Sequence, residues 1–239
     1  MFEATTADRR DSGFRSGIAL RRFILGGIAA ASLCTAGCNI IAPLGAMAEN
    51  YRRTSTRTVA PEYTGLEGKR WAVIVIADRI IQSDLPDLVP YLTAKITDRL
   101  AAPAQQQKIG AAGYIPAGTL LRYLYDHPQW LAMQRTELAK DLGVDTLIVV
   151  EVVEAQLHSP GNQYLWAGLV TGNVGIVQAD STNDDFAFHK SVRVSFPDKD
   201  GFGPNDMTTE QVSTALASRF IDRVTWLFYS HEEPYYPKY

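Results

Sequence analysis

Leu138-Ala139-Lys140-Asp141-Leu142-Gly143-Val144-Asp145-Thr146-Leu147-Ile148-Val149-Val150-Glu151-Val152-Val153 decides the fold class. Its first part continues a helical stripe of Trp130, Gln134, Leu138 and Leu142, one turn apart. Gly143 then fits the left-handed position just past a helix end. From Thr146 to Val153 the residues are β-branched or apolar at nearly every place, so the strand is covered on both faces. A helix feeding a strand buried on both sides is the building unit of an α/β sheet.

Upstream, Trp71-Ala72-Val73-Ile74-Val75-Ile76-Ala77 repeats the doubly buried strand pattern. Leu85, Leu88, Val89, Leu92, Ile96 and Leu100 then recur at three- and four-residue steps, predicting one amphipathic helix that ends before Pro103. Pro86 suits its first turn, and Pro90 is expected to kink it slightly. A short strand is expected at Lys108–Ala112. Thr119 is the expected N-cap of a helix over Leu120–Tyr125, broken by His127-Pro128, and a further helix starts near Gln129.

Downstream, the chain turns polar at alternate positions from Glu154, as though leaving the covered part of the sheet. Ser159-Pro160-Gly161-Asn162 is turn chemistry, and Tyr164–Val177 is expected to return as a strand. Phe186, Phe188, Val192, Val194 and Phe196 alternate with Ala187, His189, Arg193 and Ser195, giving a half-buried third strand. Thr208 followed by Gln211 forms a capping box, and Val212, Leu216, Phe220, Val224, Leu227 and Phe228 mark the closing helix.

These elements predict one α/β (α+β) domain over residues 70–230: a mixed sheet of about five strands with helices packed on it, closed by a C-terminal helix. Their order, with the helix-to-strand junction at 138–150, resembles the N-terminal domain of TolB and the periplasmic domain of the curli-secretion lipoprotein CsgG. The resemblance spans about residues 70–229 and implies a role in envelope assemblies, not catalysis; it is fold-level analogy. TolB's propeller and CsgG's membrane-crossing segments have no counterpart in the sequence.

The N-terminus reads as an export signal. Arg21-Arg22 precede an uncharged stretch whose part before Cys38, Phe23 to Gly37, is 15 residues, short of the roughly 20 a spanning helix needs. Thr35-Ala36-Gly37-Cys38 resembles the lipobox of bacterial lipoproteins, with Thr35 where leucine is usual. This implies a signal peptide over 1–37, cleavage before Cys38 and acylation of its thiol. Asn39, where retention at the inner membrane would favour Asp, implies the outer membrane. The alternatives are a plain signal cut after Ala46 or Ala48, and a twin-arginine signal at Arg21-Arg22. Residues 38–69, with Arg52, Arg53, Arg57, Pro61, Gly65 and Gly68, are expected to be an extended tether.

Of 23 basic and 26 acidic side chains, five and three fall within residues 1–38, which leaves the remainder at a formal charge of −5. Such a domain repels phosphate backbones, so nucleic acid is not an expected partner. The two cysteines, Cys34 and Cys38, exclude a disulfide or a cysteine metal site in the domain. The four histidines, His127, His158, His189 and His231, show no metal spacing, and there is no Gly-x-Ser-x-Gly elbow. Gly168, Gly172 and Gly175 lie within a strand and read as relief of crowding, not as a phosphate loop. Asp180, Asp184 and Asp185, among Ser181, Thr182 and Asn183, read as a polar hairpin loop in preference to a cation site. No catalytic, cofactor or metal residue is expected.

Residues 231–239 end in Pro234-Tyr235-Tyr236-Pro237-Lys238-Tyr239, an aromatic segment with little entropy to lose on docking. Two readings stand: folded back on its own domain, or docked on a neighbour. The sequence therefore predicts a lipid-anchored periplasmic module without enzymatic activity that forms a homo-oligomer or binds another envelope protein. The alternatives are a small-ligand or glycan-binding lipoprotein, with Trp166, Tyr164 and the tail tyrosines as stacking surfaces, and a hydrolase whose residues converge only in the fold.

Overall fold

The computed structural model describes residues 55–235. The elements of the first half are β1 (Thr56–Val59), β2 (Arg70–Ala77), α1 (Arg79–Asp84), α2 (Leu88–Ala101), α3 (Pro103–Ile109), β3 (Gly113–Tyr114) and α4 (Ala117–Asp126). A 3₁₀ turn (Pro128–Ala132) leads to α5 (Arg135–Asp141), β4 (Thr146–Gln156), β5 (Gly168–Gln178), β6 (Phe188–Phe196), α6 (Thr209–Thr225) and β7 (His231–Pro234). The sheet runs β3-β2-β4-β5-β6. β2 is parallel to β3 and β4, and the β4–β5–β6 meander is antiparallel. This is the mixed five-stranded α/β domain expected, with its closing helix followed by a short strand.

Alternate residues of the central strands enter two cores, because helices cover both faces. Val73, Val75, Ile148 and Val150 pack under α2 and α6 with Leu92, Ile96, Leu216 and Phe220. Ala72, Ile74, Leu147 and Val149 face α4 and α5 with Leu120, Leu138 and Ala139. Gly143, at φ +65°, ends the α5 segment as its sequence position predicted. The capping box at Thr208 and Gln211 is formed in both directions.

Part of the segment assigned to the tether, from Arg57 on, packs with the domain. β1 pairs with β7. The Tyr63 amide donates to the Leu227 carbonyl at 2.9 Å, the Tyr63 ring packs on Phe188 and Phe228, and Leu66 is 1% exposed. Two isolated apolar side chains suffice here because the end of α6 offers a site for them, which no local periodicity could reveal. Pro234 belongs to β7, and the Tyr235 amide donates to the Ser55 carbonyl at 3.1 Å. Residues 236–239 lie outside the described residues.

Several boundaries shift for local reasons. Residues 108–112 are not a strand: α3 runs to Ile109, ends on Gly110 at φ 69°, and the strand follows at Gly113–Tyr114. The helix expected from Leu85 starts at Leu88, since Pro86 disfavours a helical Leu85, which sits at φ −133°, ψ 70°. Pro116, not Thr119, precedes α4. The helix expected from Gln129 is divided, with Met133 and Gln134 extended between the 3₁₀ turn and α5. β5 starts at Gly168, not Tyr164, because the Trp166 amide bonds the Phe202 carbonyl instead of a ladder partner.

Candidate functional site

Beyond the carboxyl ends of β2 and β4, where open α/β sheets bind ligands, the structure leaves a groove of about 360 Å³. Asp78 ends β2 and caps α1, accepting from the Ile81 amide at 2.8 Å. The Leu85–Asp87 link then carries the chain into α2, placing Leu85, Leu88 and Leu92 along one wall. Leu216, Ala217 and Phe220 of α6 form the opposite wall.

The floor depends on an irregularity in β4. Pairing with β5 shifts register between Val152 and Glu154, leaving Val153 as the extra residue, 53% exposed. The shift moves the alternation by one place. Ala155 and Leu157 therefore line the groove, where continued alternation after Val152 would have brought Glu154. The glycines of β5 set how closely α6 lies. A Cβ on Gly168 would strike Leu216, and one on Gly172 would come within 2.7 Å of the Phe220 ring. Gly175 makes room for the ring of Phe186. The expected relief of crowding is thus found, chiefly against side chains.

The groove wall is apolar apart from Gln156, Ser213, Thr214 and the Tyr91 hydroxyl, and its rim carries Asp84 and Asp87. Among the described residues no lysine, arginine or histidine lines it. The sequence marked Leu85, Leu88 and Phe220 only as core and singled out neither Ala155 nor Leu157; its one trace was the change to alternate polarity from Glu154.

Each sequence-marked residue has a definite place. The rings of all four histidines lie against aromatics: His127 on Tyr123, His158 on Trp166, His189 near Phe186 and His231 on Trp226. Burial depresses the His231 imidazole below its ordinary pKa, against the Tyr229 carbonyl and Glu233, which favour its charge. No group of three or more His, Cys, Asp and Glu among the described residues could hold a metal ion. Trp166 is buried at 5% exposure, its indole N–H donating to the Met207 carbonyl at 3.0 Å, so it offers no open stacking face beside the exposed Tyr164.

Asp184 does more than decorate a hairpin. Its carboxylate accepts from the Arg135 and Thr136 amides at 3.0 and 2.9 Å, capping α5 from 48 residues away. Partial burial would raise its pKa, but those two bonds and the Arg135 guanidinium hold it below the ordinary value. Asn183 and Ser181 bond each other within the loop. Cys38 lies outside the described residues. No helix among the described residues is long and apolar enough to cross a membrane.

No protein-family model matches the chain, and no curated protein matches it. Among solved structures it is similar to the PelC dodecamer from Paraburkholderia phytofirmans, with TM-score 0.40, 12% identity, and coverage of 73% of this chain and 97% of that one. It is similar to protein XCC0632 from Xanthomonas campestris at TM-score 0.40 and 14% identity, over 71% and 85% of the two chains. Lipoprotein GNA1162 from Neisseria meningitidis gives TM-score 0.38 and 13% identity, over 62% and 93%.

Proposed function

We propose that this chain is an exported lipoprotein, held by acyl groups on Cys38, whose domain serves in the periplasm as a non-enzymatic interaction or assembly module. The observation that carries this reading is Thr35-Ala36-Gly37-Cys38, whose first three residues close the 15-residue uncharged stretch Phe23–Gly37 behind Arg21-Arg22. A multiply acylated cysteine is a durable anchor, where one chain alone holds weakly. Asn39 directs the anchor to the outer membrane. The partner is a second copy or another envelope protein, consistent with the TolB and CsgG resemblance of the sequence. Anchored domains diffuse in a plane, so weak contacts meet at high effective concentration. β6, hydrogen-bonded only to β5 among the described residues, supplies an edge that another strand can extend.

Growth with a labelled fatty acid tests the anchor. Label appears on the wild-type chain and vanishes in Cys38→Ser, which moves to the soluble periplasmic fraction. Label persisting in Cys38→Ser, or a wild type soluble without detergent, overturns the reading. Cross-linking in intact cells that recovers only monomer removes the assembly role. The second reading, a small-ligand lipoprotein, is favoured by the apolar groove and not by Trp166.

A further inference from the structure

The groove between α1–α2 and α6 has the dimensions of a small-ligand site, about 360 Å³ against roughly 300–1,000 Å³ for such pockets. Leu85, Leu88, Leu157, Val170 and Phe220 present hydrocarbon to its interior, so its occupant needs an apolar body. An amphipathic helix is about 10 Å across with its side chains, and a cavity of this size admits only a side chain or two of one. A single alkyl chain uses the space better.

The rim selects the head. Asp84 and Asp87 stand at the mouth, both exposed and neither in an ion pair among the described residues, and no basic side chain joins them. Lys95, one turn beyond Tyr91, is held over the Tyr91 ring at 5.9 Å from its centroid. Two carboxylates with no opposing charge repel an anionic head and attract an ammonium. We propose that this groove binds a single-chain cationic amphiphile, its alkyl body against Leu88 and Phe220 and its ammonium head at Asp84 and Asp87. The proposal rests on the small-ligand reading of the groove and is independent of the anchor.

The full chain carrying Cys38→Ser, free of its own acyl groups, is titrated calorimetrically with decyltrimethylammonium and with decyl sulfate, both below their micelle-forming concentrations. The cation binds, and binds about tenfold or more tighter than the sulfate. Asp84→Asn with Asp87→Asn weakens the cation about three- to tenfold, the range expected of two exposed charges, and abolishes the preference. Ala217→Trp, filling the groove, removes binding while the melting temperature holds. Should that variant fail to fold, Thr214→Trp at an exposed position of the same wall replaces it. Equal binding of the two amphiphiles, binding that survives the filled groove, or no binding overturns the inference. So does displacement of the amphiphile by a basic amphipathic peptide that itself binds more tightly. Each of these outcomes leaves the fatty-acid labelling of Cys38 standing or falling on its own.

Discussion

Arg57 and Glu233, 176 positions apart, join β1 to β7: the guanidinium donates to one carboxylate oxygen through Nη2 at 2.6 Å and Nε at 3.0 Å. Glu233 is 4% exposed, and its second oxygen faces Arg223 at 3.7 Å and the His231 ring at 4.0 Å. A buried carboxylate persists only where cations and donors replace its water. Charge therefore joins ring stacking in fastening β1 and β7.

Glu233→Ala removes the carboxylate that Arg57 and Arg223 share. Because Arg57 is half exposed, the loss is smaller than for a fully buried pair. It should be about 1–3 kcal/mol, read as a lowered chemical-denaturation midpoint with an unchanged slope. Glu233→Gln, which keeps the shape and one acceptor, should lose less. A variant as stable as wild type would mean the ribbon does not depend on this cluster.

His231 makes stability depend on pH. Its ring lies flat on Trp226, 4.3 Å between centroids, and burial lowers its folded pKa below 6.5 despite Glu233, while Arg223 and Lys108 add to the lowering. The unfolded chain therefore binds the proton more readily, so the contribution is complete above pH 6.5 and lost as pH falls toward the lowered pKa. Melting temperatures of wild type minus His231→Phe, which keeps the stacking, should decline across that window. A flat difference refutes the assignment.

Phe220 fills the space that Gly172 leaves open. Phe220→Ala removes a fully buried ring, 0% exposed, and should cost about 3–5 kcal/mol. Gly172→Ala overpacks the same place, costing about 1–3 kcal/mol. Combining Gly172→Ala with Phe220→Leu should recover part of that loss, because the two changes share one volume. Strict additivity in the denaturation energies would separate them.

Thr146 stands opposite Trp71 in the parallel ladder, and its hydroxyl is buried without a hydrogen-bond partner among the described residues. Thr146→Val replaces that oxygen with a methyl group of similar shape. Relieved of an unsatisfied polar atom, the variant should gain about 1 kcal/mol or more, seen as a raised melting temperature. A fall would reveal a partner for the hydroxyl.

The sequence alone settled the features that neighbouring residues determine among themselves. The doubly apolar runs at 71–77 and 146–153 required helices on both faces, and the structure has them. The capping box at Thr208 and the left-handed Gly143 were legible because each is closed within a few residues. The meander came from alternation and turn chemistry. In the N-terminal 38 residues, charge, run length and small residues before Cys38 carried the export reading on composition alone.

The features that required the tertiary structure lie where distant segments meet. Asp184 capping α5, Arg57 reaching Glu233, and Tyr63 with Leu66 docking at the end of α6 leave no local period, since each partner is far along the chain. The groove escaped for the same reason: Leu88, Leu157 and Phe220 look like core residues in their own elements. Only the register shift at Val152–Glu154 and the glycine-set approach of α6 leave a gap between them. Periodicity reports which side of an element is apolar. Whether that side meets a neighbour or faces a cavity is decided by how the elements are spaced.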